Sequence, residues 1–302
     1  AVLWLLTTLD ALRLVRLVRT PSGARLPIAL FAVLSLVLST GTAGYAAMLA
    51  GVGRDALGSV FGAGGIVAPI DGRYTFLLLG GDAGADRIGL RPDSITLVSV
   101  DAGSGAVTMV GIPRNLYNVS FEESSPLHEV WPNGFDCGDD CLLAYLYPWV
   151  EERPELYPDA ERQGSTPALE AMRDAVEGIT GVPVQWTVLI DMAGFESLID
   201  ALGGVVVTVD EPVTLGVNDG PVVGRIEAGE QRMNGYTALW YARSRYELTD
   251  FDRMEHQRDI QEAMLRQLDP ATVLTRFQAI AEASSELVRT DVPQAMLGVL
   301  SD

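Results

Sequence analysis

The chain has 302 residues, enough for one sizeable domain with an appendage or for two small domains, and 48% of them are apolar, so a packed core is expected. Its 21 basic residues, all arginine, face 40 acidic ones, and the imbalance is uneven: residues 1–70 carry a net charge of +3 and residues 71–302 carry −22. A domain at −22 repels nucleic acid and anionic surfaces, which excludes nucleic acid as a partner and requires any anionic ligand to be gripped by a local cluster of arginines.

The first 25 residues form a basic segment with Arg13, Arg16, Arg19 and Arg25; its apolar opening, Ala1 to Leu9, also reads as the end of an earlier membrane helix. Leu26 to Val52 is 27 residues without a charge, against the roughly 20 needed to cross a bilayer core. We expect a transmembrane helix over 26–52, with the arginine flank cytoplasmic and the remainder extracytoplasmic. A signal peptide is the alternative, but the run is long for one. Residues 53–72, with Gly62, Gly64 and Gly65 close together, read as a linker, and residues 73–302 as the folded domain.

Tyr74 to Leu79 is an apolar strand stopped by Gly80-Gly81, and Ser94 to Asp101 with Ala106 to Ile112 forms a hairpin about a Gly-Ser-Gly turn. Cys137 and Cys141 make a poor zinc site; outside the cell a local disulfide is expected, with free thiols the alternative. Thr166-Pro167 opens a helix whose apolar stripe is Leu169, Met172, Val176 and Ile179, ended by Gly181. Val184 to Asp191 is a strand, Gly194 to Leu202 a helix and Val205 to Asp210 a further strand. Alternating strands and helices predict an α/β fold, an α-β-α sandwich whose hairpin makes the central sheet mixed. Asn234 caps a helix to about Tyr241, and Thr249 with Asp252 forms a capping box for another to about Leu268.

The chemistry-bearing residues gather at predicted element ends. Asp82 follows the first strand, Arg91-Pro92-Asp93 precedes the second, and Arg114 leaves the third behind Pro113, where it can approach Arg91 and Asp93. Arg243 and Arg245 sit between the two late helices, and Arg253 and Gln257 continue the apolar stripe of Ile260, Met264 and Leu268. A charge on a buried face needs a partner, and an anionic ligand would supply one. Guanidinium groups suit a pyrophosphate because they donate paired hydrogen bonds and stay charged. Aspartates beside them would repel phosphate unless a divalent cation lies between. Taken singly, each group has a plainer reading: a surface ion pair for Arg91 and Asp93, a solvated face for Arg253 and Gln257. His128 and His256 lack partners at ligand spacing, and the five tryptophans, among them Trp131, Trp186 and Trp240, read as core or rim rather than sugar platforms.

Over residues 73–290 the order of these blocks resembles the LytR-CpsA-Psr family of cell-wall glycopolymer transferases. The resemblance rests on Phe76-Leu77-Leu78-Leu79-Gly80-Gly81-Asp82, Arg91-Pro92-Asp93-Ser94, Gly111-Ile112-Pro113-Arg114-Asn115, Ile190-Asp191-Met192-Ala193-Gly194-Phe195 with Ile199-Asp200-Ala201-Leu202-Gly203-Gly204-Val205, and Tyr241-Ala242-Arg243-Ser244-Arg245 through Asp250-Phe251-Asp252-Arg253 to Gln257. It implies a hydrophobic pocket for a polyprenyl tail, with Arg91, Arg114, Arg243, Arg245, Arg253 and Gln257 binding pyrophosphate. It also implies that Asp82 and Asp93 attend Mg²⁺ or Mn²⁺. We expect Asp93, Arg243 and Arg245 to act in catalysis, with either Asp93 or Asp82 assisting deprotonation of the acceptor. The implied reaction moves a phosphoglycan from its polyprenyl-pyrophosphate carrier to peptidoglycan at the cell membrane. The alternatives are a hydrolase acting on the same lipid, or a wall protein that binds it without turnover. Gly84, Asn115 and His256 depart from the family pattern, each removing a charge, and Arg87 is a candidate to replace the one missing at Gly84.

Overall fold

The chain divides into two units, Ala1–Ala56 and Leu57–Asp302. A computed structural model describes residues 64–81, 90–138, 140–218, 220–267 and 288–301, all within the second unit. The expected basic segment 1–25 and membrane helix 26–52, the first part of the 53–72 linker, and Asp82, Gly84 and Arg87 lie outside the described residues. Among those described, no helix is long and apolar enough to cross a membrane.

Strand β1 (Arg73–Gly81) pairs antiparallel with β2 (Pro92–Asp101), which turns into β3 (Val107–Gly111). The turn closes because Asp101 Oδ1 accepts the backbone N–H of Gly103 (3.1 Å) and of Ser104 (2.8 Å), while Gly105 takes φ 70°. A long excursion holds the Cys137–Cys141 disulfide, as expected, and leads to helix α1 (Leu143–Glu151). Helix α2 (Pro167–Thr180) starts where Thr166 Oγ1 accepts the N–H of Leu169 at 3.3 Å and ends at Gly181 with φ 67°. Strand β4 (Trp186–Asp191) runs directly into α3 (Met192–Ala201), whose first turn is capped by Asp191 Oδ1 at 2.7 Å from Gly194 N.

There follow β5 (Val205–Val209), β6 (Val213–Gly216), β7 (Val222–Ile226) and β8 (Gly229–Met233), then α4 (Gly235–Arg243), α5 (Asp250–Gln267), β9 (Val288–Thr290) and α6 (Met296–Ser301). The central sheet has the order β3-β2-β1-β4-β9, with β1 and β4 parallel and the other pairs antiparallel. It is the mixed sheet the hairpin predicts. Strand β5, expected in the alternating βα pattern, instead pairs with β8, and β6 with β7, in two separate ladders. Hydropathy could not show this: β8 reads Gly-Glu-Gln-Arg-Met and is mostly exposed, so it offers backbone pairing with almost no apolar signature.

Side-chain alternation along the strands divides the interior. Leu77, Leu79, Ile95 and Leu97 pack under Leu143 and Leu146 of α1 and Met172 and Val176 of α2. On the opposite face Tyr74 and Phe76 meet Trp186, with ring centroids 5.9 and 5.2 Å apart, over Val292 and Met296. Further along that face Leu78, Val188 and Ile190 look toward α3, α4 and α5. The sheet is thus covered on both sides, and the carboxyl ends of parallel β1 and β4, where Gly81 stands opposite Asp191, open together. In α/β sheets that edge is where ligands bind.

Candidate functional site

The arginine-bearing loop is built by its own caps. Asn234 Oδ1 accepts the N–H of Thr237 at 2.9 Å to start α4. Thr249 and Asp252 form the reciprocal capping box that starts α5: Asp252 Oδ2 lies 2.7 Å from Thr249 N, and Thr249 Oγ1 lies 3.3 Å from Asp252 N. Between them Ser244 is fully buried. Its hydroxyl donates to Thr214 O at 2.6 Å and accepts from Gly216 N at 3.2 Å, while Arg245 N donates to Gly216 O at 2.9 Å. These bonds clamp the loop to β6 and fix the two flanking arginines.

Around that loop the structure gathers Arg114, Arg243, Arg245 and Arg253 with Asp93 and Asp250. Arg114 Nη1 pairs with Asp93 Oδ1. Asp250 Oδ1 lies 3.4 Å from Arg253 Nη2 and 4.0 Å from Arg245 Nε. Burial, then repulsion from Arg114 and opposed by Asp93 and Asp250, lowers the pKa of Arg245. Arg253 is 2% exposed. Its burial, with the neighbouring Arg245, pushes its pKa down to about 10, which leaves it charged at neutral pH. Four arginines against two aspartates leave this described cluster positive within a strongly acidic domain. Among the described residues, Arg253 Nε, Arg114 Nε and Gln261 Oε1 are buried without a hydrogen-bond partner. Buried polar groups are rarely left so; Arg114 and Arg253 line one small niche, and Gln261 lines the cavity beside it.

Behind the cluster lies a cavity of about 410 Å³, within the roughly 300–1,000 Å³ of small-molecule sites. Leu78, Val188 and Ile190 of the sheet form one wall; Phe195, Leu198, Leu239, Ile260 and Met264 of the helices form the other. Its polar end carries Asp93, Ser94, Arg243, Gln257 and Gln261. Beside that end a small niche, about 10 Å³, is lined by Asp93, Arg114, Arg253, Gln257 and Arg258. The arrangement suits a ligand with an apolar tail and an anionic head.

Of the expected site residues, Asp93, Arg114, Arg243, Arg245, Arg253 and Gln257 come together. Gln257 Nε2 donates to Ala242 O at 3.3 Å, so it ties α5 to the end of α4 while lining both spaces. Arg91 takes another direction: its guanidinium lies 5.5 Å from the centroid of the Tyr145 ring of α1, and it lines neither space. Asp82 lies outside the described residues. His256 faces away from the cluster, stacked on Tyr241 at 4.2 Å and buried. Asp259 accepts the Tyr241 hydroxyl at 2.9 Å.

Three residues of the site had no assigned role in the sequence. Asp250 joins Arg245 to Arg253, Ser244 clamps the loop, and Gln261 donates to Thr96 Oγ1 at 3.1 Å and lines the cavity. Gln261 was within reach of sequence reasoning, since it falls four positions after Gln257 on one helical face. For a divalent cation the donor set is sparse. Asp93 offers hard carboxylate oxygen, and among the described residues no three His, Cys, Asp or Glu side chains gather to hold a metal. That fits a Mg²⁺ site, in which one or two carboxylates hold the ion and substrate phosphates and water complete the shell.

The sequence model of the LytR_cpsA_psr family matches residues 66–301. The chain belongs to this family. It is 28% identical over 222 residues to the polyisoprenyl-teichoic acid–peptidoglycan teichoic acid transferase TagU of Halalkalibacterium halodurans, covering 72% of this chain and 61% of that protein. It is 28% identical over 246 residues to the cell wall biosynthesis protein LcpA of Corynebacterium glutamicum, covering 73% of this chain and 45% of that protein. The chain therefore spans about half to three fifths of the length of these curated relatives. The crystal structure of Bacillus subtilis TagV superposes with a TM-score of 0.53 at 23% identity, covering 76% of this chain and 78% of that one, and shares the fold. In this LytR-CpsA-Psr domain the described parts of the sequence blocks that carry the family pattern meet at one edge of the sheet: the end of β1, the start of β2, the exit from β3, the β4–α3 junction and the α4–α5 loop.

Proposed function

We propose that this LytR-CpsA-Psr domain transfers a phosphoglycan from a polyprenyl-pyrophosphate carrier to a hydroxyl of peptidoglycan, outside a cell membrane to which residues 26–52 anchor it. The observation that carries the reading is the apolar cavity of about 410 Å³ that ends at the positive arginine cluster with its unpartnered Arg253 Nε. A long hydrocarbon joined to a doubly charged pyrophosphate complements both halves. The name of the TagU relative, a transferase between a polyisoprenyl-linked teichoic acid and peptidoglycan, supports the same class of reaction.

In the proposed step the acceptor hydroxyl oxygen attacks the glycan-side phosphorus. The bond from that phosphorus to the bridging oxygen breaks, polyprenyl phosphate leaves, and Asp93 takes the hydroxyl proton. Arg114, Arg253 and Gln257 bind the pyrophosphate, and Arg243 and Arg245 stabilise the charge that grows on the transferring phosphoryl group and leaving oxygen. The cavity walls hold the lipid so that the phosphorus stays in place, which makes positioning a large part of the rate. A divalent cation, Mg²⁺ or Mn²⁺, held by Asp93 and by Asp82, would lower the charge of the phosphates.

The test is a transfer assay with a polyprenyl-pyrophosphate glycan, run with and without peptidoglycan. The wild type should form a peptidoglycan-linked product. Replacing Arg243 and Arg245 together by Ala should lower turnover by about 100-fold or more, the scale of losing charge-stabilising donors. Full activity in that variant would sink the assignment, and release of free phosphoglycan with acceptor present would point to the hydrolase.

A further inference from the structure

The outward face of α1 carries a second cleft, of about 360 Å³, lined by Tyr145, Pro148 and Trp149 with Asp140 and Glu152 at its rim. The inward face of the same helix, with Leu143, Leu146, Tyr147 and Val150, already fills the core. Trp149 is half-buried: its inner side packs against the core with Trp131, and the rest of it lines the cleft. Trp149 is held in place by Trp131, 4.1 Å away between centroids, and by Arg153, whose guanidinium lies 4.0 Å over its ring. The disulfide from Cys137 to Cys141 encloses Asp140 and fixes the rim at the start of the helix.

The cleft's chemistry is that of a sugar site. Tyr145 and Trp149 offer a hydroxyl and an indole N–H on apolar rings, Pro148 adds an apolar wall, and the two carboxylates accept hydrogen bonds from hydroxyl groups. Glu152 is already paired with Arg153 at 3.8 Å, so the cleft offers no strong unbalanced charge, and an uncharged sugar suits it better than a phosphate-bearing polymer. The cleft also shares its supports with the arginine cluster. Ala144 N donates to Arg114 O at 2.9 Å, Leu143 N donates to Leu116 O at 3.0 Å, and Arg91 reaches over the Tyr145 ring.

We propose that the α1 cleft seats an uncharged pyranose unit of the acceptor glycan, next to the phosphate-holding arginines. The assignment to the acceptor rests on the transferase reading above; the carbohydrate site itself does not.

The experiment is calorimetric titration of the full chain with chitotetraose, an uncharged oligomer of N-acetylglucosamine. The wild type is expected to bind with a dissociation constant of about 1 mM or tighter. Trp149→Phe keeps the packing and removes the indole N–H, and together with Asp140→Asn it should weaken binding by about tenfold or more. Polyprenyl pyrophosphate should be bound as before. No binding by the wild type overturns the proposal, as does equal binding by the variant. Weakening confined to a lipid-linked phosphoglycan, with chitotetraose unaffected, overturns the acceptor assignment in favour of the donor. Chitotetraose binding that the variant weakens supports the cleft even where the transfer assay fails, so the two readings fall separately.

Discussion

Arg253 shows what the site requires of single residues. It is 2% exposed, its Nε has no partner, and Asp250 at 3.4 Å answers only one end of the guanidinium. A buried charge so incompletely paired opposes folding until an anion arrives. Ser244 acts by position instead. Ser244→Ala strips Gly216 N of its acceptor and should destabilise the domain by about 1–3 kcal/mol in urea denaturation, with turnover falling as Arg243 and Arg245 loosen. A variant as stable and active as the wild type would remove the clamp from the account. His256 gives a pH signature. Burial pushes its pKa below the ordinary 6.5, against the pull of Asp259. The unfolded chain therefore takes up a proton near pH 6.5 that the folded chain refuses until lower pH, so this residue withdraws stability as pH falls from about 6.5 toward its lowered folded value. The buried carboxyls of Asp174, Glu177, Asp259 and Asp291 are raised and act with the opposite sign. The His256 contribution is thus read as a difference: His256→Gln should lose less stability than the wild type over that window, and parallel stability curves would contradict it.

Among the elements, α3 and α4 pack closely against each other along one wall of the apolar cavity. A Cβ on Gly235 would stand 2.1 Å from Glu196 O, and Gly235 N donates to Asp200 Oδ1 at 2.7 Å. Backbone cannot yield as a side-chain tip can, so Gly235→Ala should push the helices apart and destabilise the domain by about 1–3 kcal/mol, measured by chemical denaturation. Unchanged stability would show that α3 can shift without loss. The helix starts were legible in the sequence because a cap is a local bond: Thr166 to Leu169, Asn234 to Thr237 and Thr249 to Asp252 each span three residues. The late stripe of Arg253, Gln257 and Ile260 was legible too, since helical period alone puts those residues on one face. Strand partners were not legible, as β5 shows: a strand's own residues give its burial pattern and not the identity of a polar neighbour.

For the whole molecule, the proposed function depends on an apolar space and a positive cluster lying side by side. Val188→Phe projects from the sheet into the cavity. It should weaken binding of a long polyprenyl pyrophosphate by about tenfold or more while leaving inorganic pyrophosphate unaffected. Equal loss for both ligands, or for neither, in paired titrations would separate the cavity from lipid binding. The family and the mixed sheet were determined by the sequence alone, since they rest on block order and periodicity; for the two cysteines the sequence favoured a disulfide over free thiols, and the structure forms it. Tertiary structure decided the rest. It sent Arg91 to Tyr145, set Asp250 between Arg245 and Arg253, clamped Ser244 to β6 across 30 residues and hollowed the cavity between sheet and helices. Each of these is a contact between segments that no local pattern encodes, fixed only when the packed core brings them within reach of one another.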